Sequence, residues 1–288
     1  MMKEEKNKVQ KSTLYLVATP IGNLSDISER AIKVLSEVDF IAAEDTRNSA
    51  RLLMALGIKK ELVSYHEHNK KSSGERLVAR LLSGENCAVI TDAGMPAISD
   101  PGEDIVRLCA DAAITISVIP GACAAVSALS VSGLATGRFA FEGFLSANKS
   151  ERKKQLDKVK QDDRTLIFYE APHKLKATLL DMRDAFGGER KISLCRELTK
   201  LNEEIKRTDL NNAIAFYEAN EPRGEYVLIV EGFLGEVVND ETLELLNLSP
   251  EEHVSAYESQ GLARMDAIKK AAKDRGLSKS ELYKILNS

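Results

Sequence analysis

Short apolar runs alternate with amphipathic stretches through the first half of the chain, a pattern typical of strands joined by helices. The apolar runs predict strands at residues 14–18, 40–43, 62–64, 87–91 and 114–119. The stretches with helical periodicity predict helices at residues 28–38, 46–56, 75–82, 103–112 and 122–131. Strict alternation of strands and helices forms a parallel sheet. We therefore expect a parallel-sheet α/β domain over residues 13–133.

The pattern changes after a small-residue linker at residues 132–137. Further strands are predicted at residues 139–145, 164–169, 192–196, 203–208 and 226–231, with helices at residues 150–160, 173–185 and 209–218. Two of these strands, 192–196 and 203–208, follow one another with no helix between them, which indicates an antiparallel pair. A second α/β domain with a mixed sheet is therefore expected over residues 134–235.

Charged residues dominate both ends of the chain. Residues 1–12 are predicted to be a disordered, solvated tail, and residues 236–288 an acidic linker followed by a small module. Helices are predicted there at 251–260, at 264–274 and from Ser278, where Ser278 and Glu281 have the spacing of a capping box. These helices outline a helix-turn-helix-like module.

Composition excludes several classes of protein. Among the 288 residues, 40 basic and 44 acidic side chains give a net charge of −4, so any contact with nucleic acid must come from local patches. No apolar run approaches the roughly 20 residues that span a bilayer. The four cysteines form no C-x-x-C pair, and no His/Cys cluster has zinc spacing. We expect a cytoplasmic protein with reduced thiols, no metal and no membrane contact.

Candidate chemistry lies in the loops that follow the predicted parallel strands. The sequence has no G-x-G-x-x-G, P-loop, H-E-x-x-H or G-x-S-x-G motif. Loops at residues 19–24, 44–47, 91–102 and 120–124 are rich in Gly, Pro and Asp, which also occur in ordinary turns. Open α/β sheets bind ligands at the carboxyl ends of their strands, and small residues let the backbone approach a ligand. The coincidence of these loops at one edge predicts a binding site without naming its ligand.

Eight motifs stand in the order and spacing of one family. They are ATPIGNL at 18–24, EDTR at 44–47, DAGMPAISDPG at 92–102, PG at 120–121, EGFL at 142–145, FYEAPH at 168–173, RELTK at 196–200 and GEYVL at 224–228. Over about residues 13–232 the chain resembles the tetrapyrrole methylase superfamily, and within it the 16S rRNA cytidine 2′-O-methyltransferase branch. Departures from that pattern are Ala18 in place of Gly, Met95 in place of Thr and Ser146 in place of Pro.

The resemblance implies a two-domain tetrapyrrole-methylase-like α/β fold with a small C-terminal helical module. It implies S-adenosyl-L-methionine as the cofactor, bound between the domains. By analogy with the superfamily, the expected cofactor contacts are Pro20, Ile21, Asp92, Met95, Ile98, Ser99, Ala122, Cys123, Ala124, Phe168, Tyr169, Gly224, Glu225 and Tyr226. The resemblance also implies methylation of a cytidine ribose in the decoding region of 16S rRNA, with naked rRNA or the small ribosomal subunit as partner, and a homodimer.

Transfer of a methyl group to a ribose hydroxyl requires an aligned nucleophile and benefits from a nearby proton acceptor. The polar motif residues that could serve are Glu44, Asp45, Asp100, Glu170 and Lys200. Residues that could hold RNA phosphates are Arg47, Lys149, Arg152, Lys153, Lys154 and Arg196. The densest basic stretch, 149–160, could equally be a solvated helix face.

Two alternatives remain open from the sequence. The chain could methylate a tetrapyrrole or another small or protein substrate, or it could be a non-catalytic RNA binder in ribosome assembly. The motifs at 170–173 and 196–200, the basic stretch and the C-terminal module resemble only the rRNA branch, and the predicted ligand-binding loops favour an enzyme.

Overall fold

The computed structural model describes residues 8–235 and 245–286. The first seven residues of the expected tail and residues 236–244 of the expected acidic linker lie outside the described residues, as do the last two. The chain divides into two compact units, Met1–Phe233 and Leu234–Ser288.

Five parallel strands form the first sheet of the larger unit, as expected from the alternating pattern. They are β1 Thr13–Val17, β2 Phe40–Ala43, β3 Glu61–Ser64, β4 Cys87–Ile90 and β5 Thr115–Ile119, in the order β3-β2-β4-β1-β5. Four helices follow these strands in turn: α1 Glu29–Glu37, α2 Thr46–Ala55, α3 Lys70–Leu82 and α4 Gly102–Asp111. A short 3₁₀ turn covers Leu24–Asp26. Every residue of β2 and β4 is buried, which explains why these strands are continuous apolar runs.

A mixed sheet forms the second half of the same unit. Its strands are β6 Phe139–Phe144, β7 Thr165–Glu170, β8 Lys191–Arg196, β9 Glu204–Asp209 and β10 Tyr226–Val230, in the order β6-β7-β10-β8-β9. Only β6 and β7 pair in parallel; β7–β10, β10–β8 and β8–β9 are antiparallel. The accompanying helices are α5 Ala124–Ser132, α6 Lys149–Val159, α7 Pro172–Phe186 and α8 Leu210–Ala219. The mixed sheet and its antiparallel pair are confirmed.

Helix α5 packs against the second sheet although it follows the last strand of the first. Ala125, Ala128 and Leu129 lie in one buried cluster with Ile167 and Val227 of the second sheet. The change of layer therefore occurs in the turn between β5 and α5. The buried side of α5 packs on the second sheet. A domain boundary at residue 133 stays a proposal.

Strand β6 contains a bulge. Its register against β7 shifts between Phe141 and Gly143, and Gly143 has φ +65°. An extra residue in a strand reverses the alternation of side chains beyond it. Phe141 and Phe144 consequently lie on the same face, and both rings contact the ring of Tyr169.

The smaller unit contains α9 Pro250–Ser259, α10 Arg264–Asp274 and α11 Lys279–Ile285. Ser249 caps α9 and Ser278 caps α11, each in a complete capping box with the glutamate three residues later. Their shared core includes Val254, Ile268 and Leu282. Within the described residues of both units, none of the helices has the length and apolar character needed to cross a membrane.

Candidate active site

A cleft of about 660 Å³ lies between the loops of the first sheet and the face of the second sheet that carries α5. Small-molecule sites typically occupy roughly 300–1,000 Å³. The cleft brings together ten of the expected cofactor contacts: Ile21, Asp92, Met95, Ile98, Ser99, Cys123, Ala124, Tyr169, Glu225 and Tyr226. Expected catalytic residues at its wall are Glu44, Asp100, Glu170 and Lys200.

Four expected cofactor contacts do not line the cleft. Pro20, Ala122 and Gly224 each stand next to a lining residue in the chain. Phe168 is a correction, because it is 1% exposed and its side chain lies in the core on the other face of the second sheet. Successive strand residues point to opposite faces, so Tyr169 faces the cleft and Phe168 cannot. Tyr226 borders the cleft, but its ring packs in that same core beside Tyr217.

Tight backbone contacts tie together the loops beside the cleft. The amide of Thr19 donates to Gly94 O at 2.9 Å and the amide of Gly94 donates to Thr19 O at 3.1 Å, which ties the first loop to the fourth. A Cβ on Gly121 would lie 2.8 Å from the Cβ of Ala18. The methyl group of Ala18 therefore fits because Gly121 has no side chain.

Asp100 organises the fourth loop. Its carboxylate accepts hydrogen bonds from the amides of Ala97 and Ile98 at 3.0 Å each and of Gly102 at 2.8 Å. Ala97 and Ser99 adopt positive φ values of 66° and 67°, which these bonds help to maintain. Asp100 therefore shapes the loop, and its expected catalytic role stays a prediction.

Glu170 and Asp45 are also engaged structurally. Glu170, 2% exposed, accepts from Thr178 Oγ1 at 2.5 Å and from the Ala171 amide at 2.9 Å, and pairs with Lys174 Nζ at 3.1 Å. Three partners thus hold the carboxylate in place, and a catalytic role for Glu170 stays a prediction. Asp45 does not line the cleft; it caps α2 by accepting from the amides of two residues in the first turn of that helix.

The wall of the cleft is acidic. Six carboxylates line it, against one lysine, Lys200: Glu44, Asp92, Asp100, Glu170, Glu197 and Glu225. Such a wall favours a positively charged ligand and disfavours a polyanion inside the cleft. The acidic wall therefore suits a small cationic molecule.

Lys200 is held between two of these carboxylates. Its Nζ lies 3.0 Å from Glu197 Oε1 and 2.6 Å from Glu225 Oε2. Burial disfavours the ammonium form, but the hydrogen bonds to Glu225 and Glu197 outweigh burial and raise the pKa of Lys200 above its usual value. Burial likewise opposes ionisation of Glu197, and the bond from Lys200 prevails and lowers its pKa. Lys200 therefore stays charged at neutral pH and donates hydrogen bonds, so it does not accept a proton.

None of the expected RNA-binding residues lines the cleft, and they differ in how far they are exposed to solvent. Lys149, Lys153 and Lys154 are exposed on α6, and Arg47 is exposed at the start of α2. Arg196 is partly buried, with its Nε 3.3 Å from Glu204 Oε2.

Arg152 is a correction. It is 6% exposed and pairs with Asp181 through two nitrogens, at 2.8 Å from Nε and 2.6 Å from Nη2. Its Nη1 donates to the carbonyls of Ser146 and Ala147. All three guanidinium nitrogens of Arg152 thus form hydrogen bonds that anchor α6, so the side chain is not available to RNA.

The sequence interpretation missed several cleft residues. The lining also includes Phe144, His173, Cys195, Glu197 and Leu198. All of them lie in or beside the motifs at 142–145, 168–173 and 196–200. Their position near the end of a predicted strand was the feature of the sequence that could have identified them. The left-handed backbone of Glu197, with φ +50°, has no sequence signature because such a conformation is uncommon outside Gly, Asn and Asp.

Comparison with known proteins defines the class of this fold and cleft. Residues 13–214 match the family described as Tetrapyrrole (Corrin/Porphyrin) Methylases. The structure is similar to that of diphthine synthase, with a TM-score of 0.58 and 15% identity, covering 76% of this chain and 90% of that one. It is also similar to uroporphyrin-III-C-methyltransferase from Thermus thermophilus, with a TM-score of 0.54 and 21% identity, covering 76% and 94%. The fold is that of the tetrapyrrole methylases.

Relatives with higher identity narrow the class. Ribosomal RNA small subunit methyltransferase I of Halalkalibacterium halodurans is 50% identical over 275 residues, which is 96% of this chain and 94% of that protein. The protein of the same name from Bacillus subtilis is 47% identical over 270 residues, 94% and 92% of the two chains. The chain belongs to the ribosomal RNA small subunit methyltransferase I family, and the resemblance noted from its motifs is confirmed.

Proposed function

We propose that the protein transfers a methyl group from S-adenosylmethionine to small-subunit ribosomal RNA. The observation that carries this proposal is the acidic cleft, whose walls come from loops of both sheets. The names of the relatives support rRNA as the substrate. The finer assignment, the 2′-hydroxyl of a cytidine in the decoding region of 16S rRNA, rests on the motif resemblance. Such an enzyme would work in the cytoplasm, where small subunits are assembled.

The cleft contributes position and charge to this reaction. Bound S-adenosylmethionine would supply an electrophilic methyl group on a sulfonium. Residues of this chain must hold the accepting oxygen about 3–3.5 Å from that carbon and in line with the leaving sulfur. Glu44 lines the cleft and accepts one hydrogen bond in the structure, from Thr91 Oγ1 at 3.0 Å, so it retains capacity to accept a proton. The Lys200 ammonium can donate to an RNA oxygen that enters the cleft.

The RNA backbone would bind beside the acidic cleft and not within it. Lys149, Lys153, Lys154 and Lys158 of α6 are exposed and form no ion pair with any described residue. Arg152 and Asp181 hold this helix on α7 through their buried pair. The anchored helix presents these lysines to solvent, and it begins five residues after Phe144 of the cleft wall, so we propose that phosphates of the substrate bind along it. We also propose a homodimer, as the resemblance implies.

The test uses radiolabelled S-adenosylmethionine with purified small subunits, naked 16S rRNA and a precorrin in parallel reactions. We expect label in the rRNA of at least one ribosomal substrate and none in the precorrin, with nuclease digestion locating it on a ribose. Label in the precorrin alone would assign the tetrapyrrole alternative. Binding of rRNA without transfer to any substrate would assign the non-catalytic alternative.

A further inference from the structure

An exposed aromatic ring stands at the wall of the cleft. Phe144 is the last residue of β6, lines the cleft and keeps 54% of its surface exposed. Exposed single apolar residues are common, so exposure alone implies nothing. What distinguishes Phe144 is that the backbone and its neighbours hold the ring in this position.

The bulge in β6 directs this ring into the cleft. In a regular strand Phe144 would lie on the opposite face from Phe141, but the extra residue before Gly143 places both on the face of Tyr169. The same shift turns Leu145 into the core that contains Ala140. Bulges of this kind redirect side chains next to active sites.

Neighbouring groups fix the ring and leave it partly open. The centroid of Phe144 lies 5.4 Å from that of Tyr169 at an interplanar angle of 63°. Lys174 Nζ lies 5.7 Å from the Phe144 centroid and is itself held by Glu170 and by the carbonyl of Leu145. The tilted aromatic contact and the cation over the ring orient Phe144, and its 54% exposure leaves surface for a further partner.

We propose that Phe144 is a stacking platform for one unstacked base of the RNA substrate, at or next to the nucleotide that is methylated. This inference rests on the proposed function and deepens it. A ribose can enter the cleft only if its nucleotide leaves the helical stack, and aromatic side chains commonly take the place of the lost stacking partner. A flat exposed ring at the cleft wall provides that surface.

The position of Phe144 in the chain favours RNA as the occupant. Helix α6 begins five residues later, at Lys149, and carries the exposed lysines Lys153 and Lys154. A base on Phe144 would therefore have its phosphates near the basic helix and its ribose near the cleft. The combination of an aromatic surface and adjacent cations is typical of single-stranded nucleic-acid binding.

The test compares Phe144→Ala, Phe144→Leu and Phe144→Tyr with the wild type. Phe139→Ala is a matched control, because Phe139 is 43% exposed at the opposite end of the same strand and does not line the cleft. Stacking on an aromatic side chain contributes enough affinity that its loss should lower kcat/KM for RNA about tenfold to a hundredfold, mainly through KM. We expect this loss in the Ala and Leu variants, near-normal values for Tyr and for the control, and unchanged calorimetric affinity for S-adenosylhomocysteine throughout.

Several outcomes would overturn the proposal. Wild-type kcat/KM in Phe144→Ala would show that no base stacks there, while the proposed function would stand. A parallel loss of S-adenosylhomocysteine affinity would assign the ring to the donor instead. Full activity of Phe144→Leu would show that apolar bulk suffices without an aromatic face. Failure of the wild type to methylate any RNA would instead contradict the proposed function itself, so the two failures are distinguishable.

Discussion

Lys200 is the only lysine among the residues that line the cleft, and it is enclosed by chain segments from both sheets. A Cβ on Gly22 in the first loop would lie 2.4 Å from Lys200 Cγ, so the lysine stem packs against bare backbone. Glu197 and Glu225 hold its ammonium group from the second sheet. Three separate segments of the chain thus determine where one positive charge points.

We predict that Lys200→Ala lowers methyl transfer to RNA much more than it lowers donor affinity. Hydrogen bonds to charged groups contribute about 1.5–3 kcal/mol, so the loss in kcat/KM should be about tenfold to a hundredfold. Turnover with RNA and titration with S-adenosylhomocysteine measure the two effects separately. Lys206→Ala is the control, because Lys206 pairs with Glu204 on β9 and does not line the cleft. Equal losses of turnover and donor affinity in Lys200→Ala would reject this role.

Helix α6 has one buried side and one side that is exposed to solvent. Arg152 and Leu156 are buried and attach the helix to the body of the protein, while its lysines face solvent. The sequence alone shows a run of charges here and gives no sign that Arg152 points inward, because its partner Asp181 is 29 residues away on α7. Pairing of this kind is decided by tertiary packing.

We predict that the double variant Lys153→Ala/Lys154→Ala weakens RNA binding by reducing the number of phosphate contacts. The slope of log K against log salt should fall by about 1 for each lysine that contacts a phosphate of structured RNA. Anisotropy titrations between about 50 and 200 mM salt would measure this slope. Lys33→Ala on α1, away from the cleft, is the control. An unchanged slope in the double variant would contradict a role for α6 in binding RNA.

Strands and helices were predictable from the sequence where a single physical rule decides them. The buried strand β2 was predicted with its observed bounds because it is a continuous apolar run. Helix α10 was also predicted with its observed bounds, because its apolar residues have helical periodicity and Gly276 follows its end. The bulge in β6 was not predicted, since Gly143 marks it only in combination with the register of β7. The packing side of α5 was also unpredictable, because its small apolar residues fit either sheet.

The whole molecule consists of a two-sheet unit that holds the cleft and a separate helical unit with its own core. In the helical unit, His253 is fully buried beside Tyr257. Arg275 Nε donates to its Nδ1 at 3.0 Å, and Asp274 Oδ2 lies 3.3 Å from its Nε2. Burial first, and then the positive charge of Arg275, lower the pKa of His253, while Asp274 opposes them.

We predict that acidification destabilises this helical unit. The unfolded chain binds a proton near the ordinary histidine pKa of about 6.5, while the folded unit binds it only at lower pH. Stability is therefore full above that pH and is lost as the pH falls below it. Hydrogen exchange of the buried α10 amides in the full-length protein would measure this loss of stability. The rates are compared at about pH 7.5 and 5.5, roughly 1 unit either side of the ordinary histidine pKa, after correction for intrinsic exchange. His253→Gln should remove the difference; an equal pH response in that variant would assign it to another group.

The chain passes from the first sheet to the second in the Pro120-Gly121 turn, before α5 begins. The position of this turn determines where the polypeptide can be divided into two fragments. A break in that turn would leave each fragment with its apolar layers intact, because the described part of α5 contributes no residue to the buried clusters of the first sheet. A break after residue 133 would instead remove from the second fragment a helix that its sheet requires. Two separately produced pieces should therefore reassemble best when the chain is divided at Pro120-Gly121, two residues before Cys123 of the cleft wall.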